Sequence, residues 1–231
     1  MNILQKKTII DAPLDICVNE NPEIKIYKNF ITDIECAHMI KLTNNILQKS
    51  LVSSDNTGIL SNGRSSSNCW IQHNKDSITI NLANRISQIV NIPLENAEAF
   101  QIIKYDTKQE YKPHHDSWEH NDSTKTHRCM KYGGQRILTA LCYLNDVEEG
   151  GSTKFTKLDI DITAEKGKML TFKNVYDEKN NKDTYDRHEL SMHCGMPVIK
   201  GYKYAFNLWF REIPKKILYK DVNPKYYLST K

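Results

Sequence analysis

The run Pro113-His114-His115-Asp116 places an imidazole and a carboxylate where one ion could use both. In an extended strand, side chains two apart share a face, so His114 and Asp116 project together while His115 points the other way. A second histidine from elsewhere in the chain would complete a set of two imidazoles and one carboxylate on one face of an octahedron. Three positions then stay open, the arrangement in which non-haem Fe(II) binds an organic cosubstrate and O₂ together. His188 and His193 compete for the remaining place, and spacing alone excludes neither.

His193 is favoured because a second feature is registered against it. Lys203 follows Pro197 and Gly201 at the start of the alternating segment KYAFNLWFR. In a strand, Lys203, Ala205, Asn207, Trp209 and Arg211 fall on one face, with Tyr204, Phe206, Leu208 and Phe210 on the other. The second face is apolar core. The first carries a cation, an amide, an indole and a guanidinium, a set that suits something anionic and something planar. A dicarboxylate that chelates iron through one end needs a cation for the other, and Lys203 fits that need.

These groups require a scaffold of many short strands. From residue 98 the chain reads as AFQIIKY, ILTALCYL, TKFTKL, KMLTF, MPVIK and YKYAFNLWF, several of them separated by Gly133-Gly134, Gly150-Gly151, Gly167 and Gly201. Short strands with glycine turns predict a sandwich or jelly roll that holds ligands inside one open end. Ahead of it, apolar spacing predicts amphipathic helices over 33–49, capped by Thr32 or Asp33, and over 76–90, ended by Asn91 and Pro93. His38 and His73, in or near these helices, are assigned to structure or surface. The Ser/Asn/Gly-rich stretch between the helices predicts a mobile loop over 53–70.

The expected class is therefore α+β, mainly β: a double-stranded β-helix (jelly roll) core over 98–213 with an N-terminal helical and strand support, 1–97. A C-terminal tail covers 214–231, and the whole forms one structural unit. A chain of 231 residues suffices for one sizeable core. The net charge of +4 comes from scattered lysines, which does not indicate nucleic-acid binding. Neither a leader nor a membrane-length apolar run is read, so the expectation is a soluble, cytoplasmic protein. Six cysteines without a C-x-x-C pair fit a reducing compartment, which also favours ferrous iron.

Three segments carry a family resemblance. IIKYDTKQEYKPHHD (102–116), QRILTALCYLNDVEEGGSTKF (135–155) and MHCGMPVIKGYKYAFNLWFR (192–211) resemble, at ordered spacing, the motifs of the iron- and 2-oxoglutarate-dependent prolyl 4-hydroxylases, particularly the small soluble forms of algae, viruses and bacteria. The resemblance implies His114, Asp116 and His193 as iron ligands and as the catalytic centre. It implies Lys203 as partner of the far carboxylate of 2-oxoglutarate, with Tyr105 and Thr153 adding hydroxyl hydrogen bonds. Tyr111, Arg136, Trp209 and Arg211 match residues lining a peptide groove. GRSSSNCW (63–70) resembles a substrate-covering loop, with Arg64, Ser66 and Trp70 in register.

The activity so implied is hydroxylation of peptidyl proline to 4-hydroxyproline, with Fe(II), 2-oxoglutarate and O₂ consumed or bound, ascorbate as reductant, and succinate and CO₂ as co-products. The partner would be a proline-containing peptide, proline-rich or collagen-like, acted on by a monomer or simple homo-oligomer. Two alternatives stay open: a related lysyl hydroxylase, and a metal-containing module that binds proline-rich peptides without turnover. The chain departs from the resembled pattern at Lys108, where the family has glycine, and at Tyr204 after the lysine. The stretch 121–134 is variable in the family and is a candidate for tuning substrate choice.

Overall fold

Alternating apolar residues on the 98–211 strands require one sheet covered on both faces, and this is what the chain builds. The computed structural model describes residues 15–214 except Thr57 and Asp122. The expected reading of the N-terminus and the tail beyond Pro214 lie outside the described residues.

Eight strands form the major sheet, in the order Asp15–Glu20, Glu23–Tyr27, Met169–Lys173, Arg136–Tyr143, Lys203–Arg211, Phe100–Tyr105, Ser67–Ile71 and Gln48–Lys49. A four-stranded minor sheet runs Ile160–Ile162, Thr153–Phe155, His193–Gly195, Tyr111–His114. Pairing is antiparallel throughout both. Phe155 and Ile162 of the minor sheet pack on Ile103, Leu141, Tyr143, Phe172 and Ala205 of the major one. The opposite face of the major sheet, with Phe100, Ile102, Phe206, Leu208 and Phe210, is covered by Met39, Leu82 and Ile86 from two helices. The result is the expected mainly-β jelly roll with helices on its outer face, and the sheets do not close into a barrel. Strands from both sides of residue 98 are hydrogen-bonded in the same sheet, since Ser67–Ile71 pairs with Phe100–Tyr105.

The first helix, α1, spans Asp33–Lys41 and ends well short of the expected residue 49. Its start is a capping box in which Thr32 and Glu35 satisfy each other's backbone N–H. It stops because the Thr43 hydroxyl takes the Ile40 carbonyl (2.7 Å) and Asn45 turns to φ 64°. The second, α2, spans Ser77–Val90 as expected, capped by the Asp76 side chain and terminated by Asn91 in the left-handed region. Glu35 accepts two hydrogen bonds from Arg85 of α2 (2.8 and 2.9 Å), which locks the helices together. A third helix, α3, Thr124–Met130, lies in the stretch for which no element was expected.

The expected mobile loop over 53–70 is shorter and better held. Ser67–Ile71 is a strand, so Trp70 belongs to the sheet, because its neighbour Phe100–Tyr105 offers a full antiparallel ladder. Further back, the Arg128 side chain of α3 donates to the Ser54 and Asp55 carbonyls (2.7 and 3.2 Å).

Six non-glycine residues take positive φ among the described residues, and five of them are Asn or Asp, which tolerate it. The sixth is Lys108, at φ 70°, whose N–H donates to the Val198 carbonyl (2.8 Å) in the turn joining Phe100–Tyr105 to Tyr111–His114. The left-handed turn is kept although the side chain opposes it. Lys108→Gly is therefore expected to stabilise the fold by about 1 kcal/mol, less a few tenths for added unfolded-chain freedom. Thermal unfolding should register this as a rise of roughly 2–4 °C. A lower melting temperature would show the lysine to be favoured there.

Candidate metal centre

His114 is the last residue of its strand and His193 the first of the next, and the two are direct cross-strand partners. The expected strand through Asp116 stops at His114, and Asp116 lies in the bend beyond. The carboxylate nevertheless turns back: Oδ1 is 3.7 Å from His114 Nε2, and Oδ2 is 3.7 Å from His193 Nε2. One ligand atom from each of the three residues lies within 4.8 Å of the others, the spacing of groups around one ion.

The chemistry of the donors fits a divalent cation. His114 Nδ1 donates to the Lys112 carbonyl and His193 Nδ1 to the Ser191 carbonyl, each at 2.9 Å. A carbonyl only accepts, so both protons sit on Nδ1 and both Nε2 lone pairs face Asp116. Burial, then the neighbouring His193, holds the His114 ring well below the usual imidazole range, which favours the neutral, ligating form. Burial pushes the Asp116 carboxyl up, but the two imidazoles, Arg136 and the Trp209 indole outweigh it and hold it below the usual carboxylate range. Oδ2 also accepts from the Thr139 hydroxyl (2.7 Å).

His188 is not part of this cluster. It is buried, and its Nε2 pairs with Asn21 Oδ1 (2.8 Å) while Nδ1 accepts from Leu190 N–H. His115 points away, toward the Glu189 carbonyl (3.3 Å). His38 pairs with Asp76, and His73 with the Glu98 carbonyl.

Beneath the triad, between the sheets, Lys203 is 3% exposed and pairs across the ladder with Tyr105. Its ammonium lies 5.5 Å from the Tyr105 ring centre and 5.3 Å from that of Tyr143. Burial brings it down to about 8, and no carboxylate among the described residues forms an ion pair with it. A buried cation without an anion is costly unless a ligand supplies one. Thr153 is buried beside it and accepts from the Tyr143 hydroxyl (2.8 Å), which leaves the Thr153 proton free to donate inward. Burial raises the Tyr143 phenol, so it stays a donor.

Around the opening, Tyr111 stacks on the His114 ring (centroids 3.6 Å apart, 19° between planes), and the Arg64 guanidinium covers Tyr111 at 4.7 Å. Arg64 is fixed there by the Leu51 carbonyl and Gln101 Oε1. Trp70 and Trp209 pack at 5.9 Å, and Arg136 lies 3.6 Å from the Trp209 ring centre and 4.8 Å from that of Trp118. Glu98 grips Arg136 through both oxygens (2.7 and 2.8 Å).

Two residues expected at the groove sit deeper. Ser66 is 1% exposed and bonds Ser50 Oγ (2.9 Å) and Tyr105, so it supports the pocket wall from behind. Arg211 is 4% exposed, donates to the Cys129 and Tyr132 carbonyls and packs on Trp118, so it anchors the end of α3. Thr139 and Tyr143 were not among the expected site residues, although the alternation of LTALCY places Thr139, Leu141 and Tyr143 on one face. Glu98, Trp118 and Asn174 carry no comparable signal in the sequence.

The family described as the 2OG-Fe(II) oxygenase superfamily matches residues 100–211. A probable prolyl 4-hydroxylase 8 from Arabidopsis thaliana is 34% identical over 216 residues, covering 84% of this chain and 70% of its own. A putative prolyl 4-hydroxylase from Acanthamoeba polyphaga mimivirus is 37% identical over 190 residues, covering 81% and 73%. Among solved structures, the viral collagen prolyl hydroxylase from Paramecium Bursaria Chlorella virus-1, in its 2OG complex, superposes with a TM-score of 0.64 at 25% identity, covering 82% of this chain and 96% of that one. A prolyl hydroxylase from Trichoplax adhaerens, bound to a peptide fragment, shares the fold at a TM-score of 0.56 and 14% identity, covering 84% and 85%. Taken with the His-Asp-His cluster and the buried lysine behind it, these similarities establish that the chain belongs to the prolyl 4-hydroxylase family of 2-oxoglutarate-dependent dioxygenases.

Proposed function

We propose that this chain hydroxylates proline within a peptide or protein, using Fe(II), 2-oxoglutarate and O₂ and releasing succinate and CO₂. The observation that carries this reading is the pairing of one tight His-Asp-His cluster with a buried ammonium that forms no ion pair among the described residues. His114, Asp116 and His193 would hold the iron through Nε2, a carboxylate oxygen and Nε2. Bound iron supplies the oxidising chemistry, in which 2-oxoglutarate loses CO₂ and one oxygen atom is inserted at the proline ring.

The other residues position and protect. Lys203 binds the far carboxylate of 2-oxoglutarate, with the Tyr105 and Thr153 hydroxyls donating to it. Trp70, half-buried, offers flat apolar surface for a proline ring, while Tyr111 and Trp209, whose faces His114, Arg64 and Arg136 cover, shape the wall around it. Arg64 and its loop limit water at the opening. Ascorbate is the proposed reductant for iron left oxidised by turnover without peptide. Six unpaired cysteines fit a reducing, cytosol-like setting for ferrous iron.

The test is incubation with Fe(II), 2-oxoglutarate, ascorbate and a panel of proline-rich and collagen-like peptides, read by succinate release and by mass spectrometry. Gain of one oxygen atom on a proline supports the assignment. Oxygen on lysine alone, or peptide retention without succinate, overturns it.

Lys203 also sets a pH dependence. Its ordinary value is 10.5 and burial brings it to about 8, so below pH 8 it is charged and ready for the dianion. Above that, binding must first take up a proton, and 2-oxoglutarate affinity is expected to fall by up to about tenfold per pH unit. Stability runs the other way: the unfolded chain binds the extra proton between these two values, so this group's contribution rises with pH there. Isothermal titration of 2-oxoglutarate from pH 7 to 10 checks the first point, and Lys203→Arg, which stays charged, should flatten the profile.

A further inference from the structure

Asp116 presents a problem that the two histidines do not. It lies beyond the strand end, where no ladder hydrogen bonds fix it, yet its carboxylate must stay in register with two rigid rings. Asn174, 0% exposed and just past the Met169–Lys173 strand, reaches it by two routes. Through its side chain, Nδ2 donates to Thr139 Oγ1 (2.9 Å), and Thr139 Oγ1 donates to Asp116 Oδ2 (2.7 Å). Through its main chain, the Asn174 carbonyl accepts from the Ser117 hydroxyl and from the His188 N–H, both at 2.9 Å. Ser117 is the residue next to Asp116, so both the carboxylate and its backbone are tethered to one amide residue.

The polarity of the side-chain route is fixed by chemistry. An ionised carboxylate only accepts, so the single Thr139 proton must go to Asp116. The group on the other side of Thr139 must then be a donor, which assigns the Asn174 nitrogen to that contact. An oxygen in its place would compete for the same proton. Oδ2 thus accepts from Thr139, and the Trp209 indole N–H donates to the same carboxylate.

We propose that Asn174 is a positioning residue for the iron centre. Acting through Thr139, it fixes the plane of the Asp116 carboxylate and so the direction in which Asp116 faces the ion. This rests on the iron reading given above. Without the relay the carboxylate is free to swing out of register with the two rings.

The test compares the parent protein with Asn174→Asp, Thr139→Val and Thr139→Ser, under anaerobic conditions and without peptide. Fe(II) affinity is measured by titration, the visible charge-transfer band of the Fe(II)–2-oxoglutarate complex by absorption, and folding by thermal melting. Asn174→Asp keeps the shape and inverts the polarity. It and Thr139→Val are expected to lose roughly 10- to 100-fold in metal affinity and to weaken or shift the band, while Thr139→Ser restores both. Folded variants that keep parental affinity and an unchanged band would overturn the proposal and reduce the relay to a packing device. If either variant fails to fold, Asn174→Gln, which keeps the donor but lengthens its reach, carries the same expectation and the same refutation. Failure of the parent itself to bind Fe(II) refutes the iron reading instead.

Discussion

Alanine at His114, Asp116 or His193 should abolish turnover of 2-oxoglutarate with peptide present. Each change removes one of the three proposed protein donors to the ion, and the metal's contribution is worth several kcal/mol, so a loss on the order of 10³-fold or more is expected. The informative controls are the histidines that flank the site. His115→Ala touches only a long contact to the Glu189 carbonyl and should leave activity nearly intact. His188→Ala removes a buried side chain that bonds Asn21 and Leu190, so it should cost about 1–3 kcal/mol of stability while the folded fraction stays active. Succinate release alongside thermal melting separates the two effects. A dead His188→Ala beside an active His193→Ala would reverse the ligand assignment.

Lys203→Ala carries the second large effect, and it should fall on one substrate. On the proposed role, removing the ammonium leaves the far carboxylate of 2-oxoglutarate buried between the sheets with hydroxyl donors but no cation, at a cost of ~3–5 kcal/mol. The 2-oxoglutarate requirement should therefore rise roughly 10²- to 10⁴-fold, while the requirement for peptide, whose proposed place is the outer opening, should change little. Initial rates with each substrate varied in turn provide the check. Equal rises in both would argue that the lysine supports the wall and not the cosubstrate.

Much of the centre could be read from residue order because its parts sit on elements with strict periodicity. Lys203, Ala205 and Trp209 share a face because a strand alternates, and the same rule would have given Thr139 and Tyr143 had it been applied to LTALCY. The helix over 76–90 was legible because Asp76 and Asn91 mark both ends. What escaped depends on contacts between distant segments. Nothing near Ser66 signals that it lies behind Tyr105, and nothing near Arg211 signals that the end of α3 covers it. The strand at 67–71 was hidden because its Ser- and Asn-rich flank reads as loop until Phe100–Tyr105 supplies a ladder. Between His188 and His193, only His193 stands opposite His114 and gathers with Asp116, a pairing that residue order does not reveal.

The tether on each ligand ring has a consequence for how the centre tolerates change over generations. Both imidazoles are steered by a main-chain carbonyl two positions earlier, at residues 112 and 191, and a carbonyl persists whatever amino acid is encoded there. Codon 112, whose side chain is exposed, is thus free to drift without loosening its ring, whereas codon 191 is held by the burial of Ser191 and its bond to the His188 carbonyl. Inserting or deleting a single residue between tether and ring would undo either arrangement at once, so inheritance constrains the count of residues at both places.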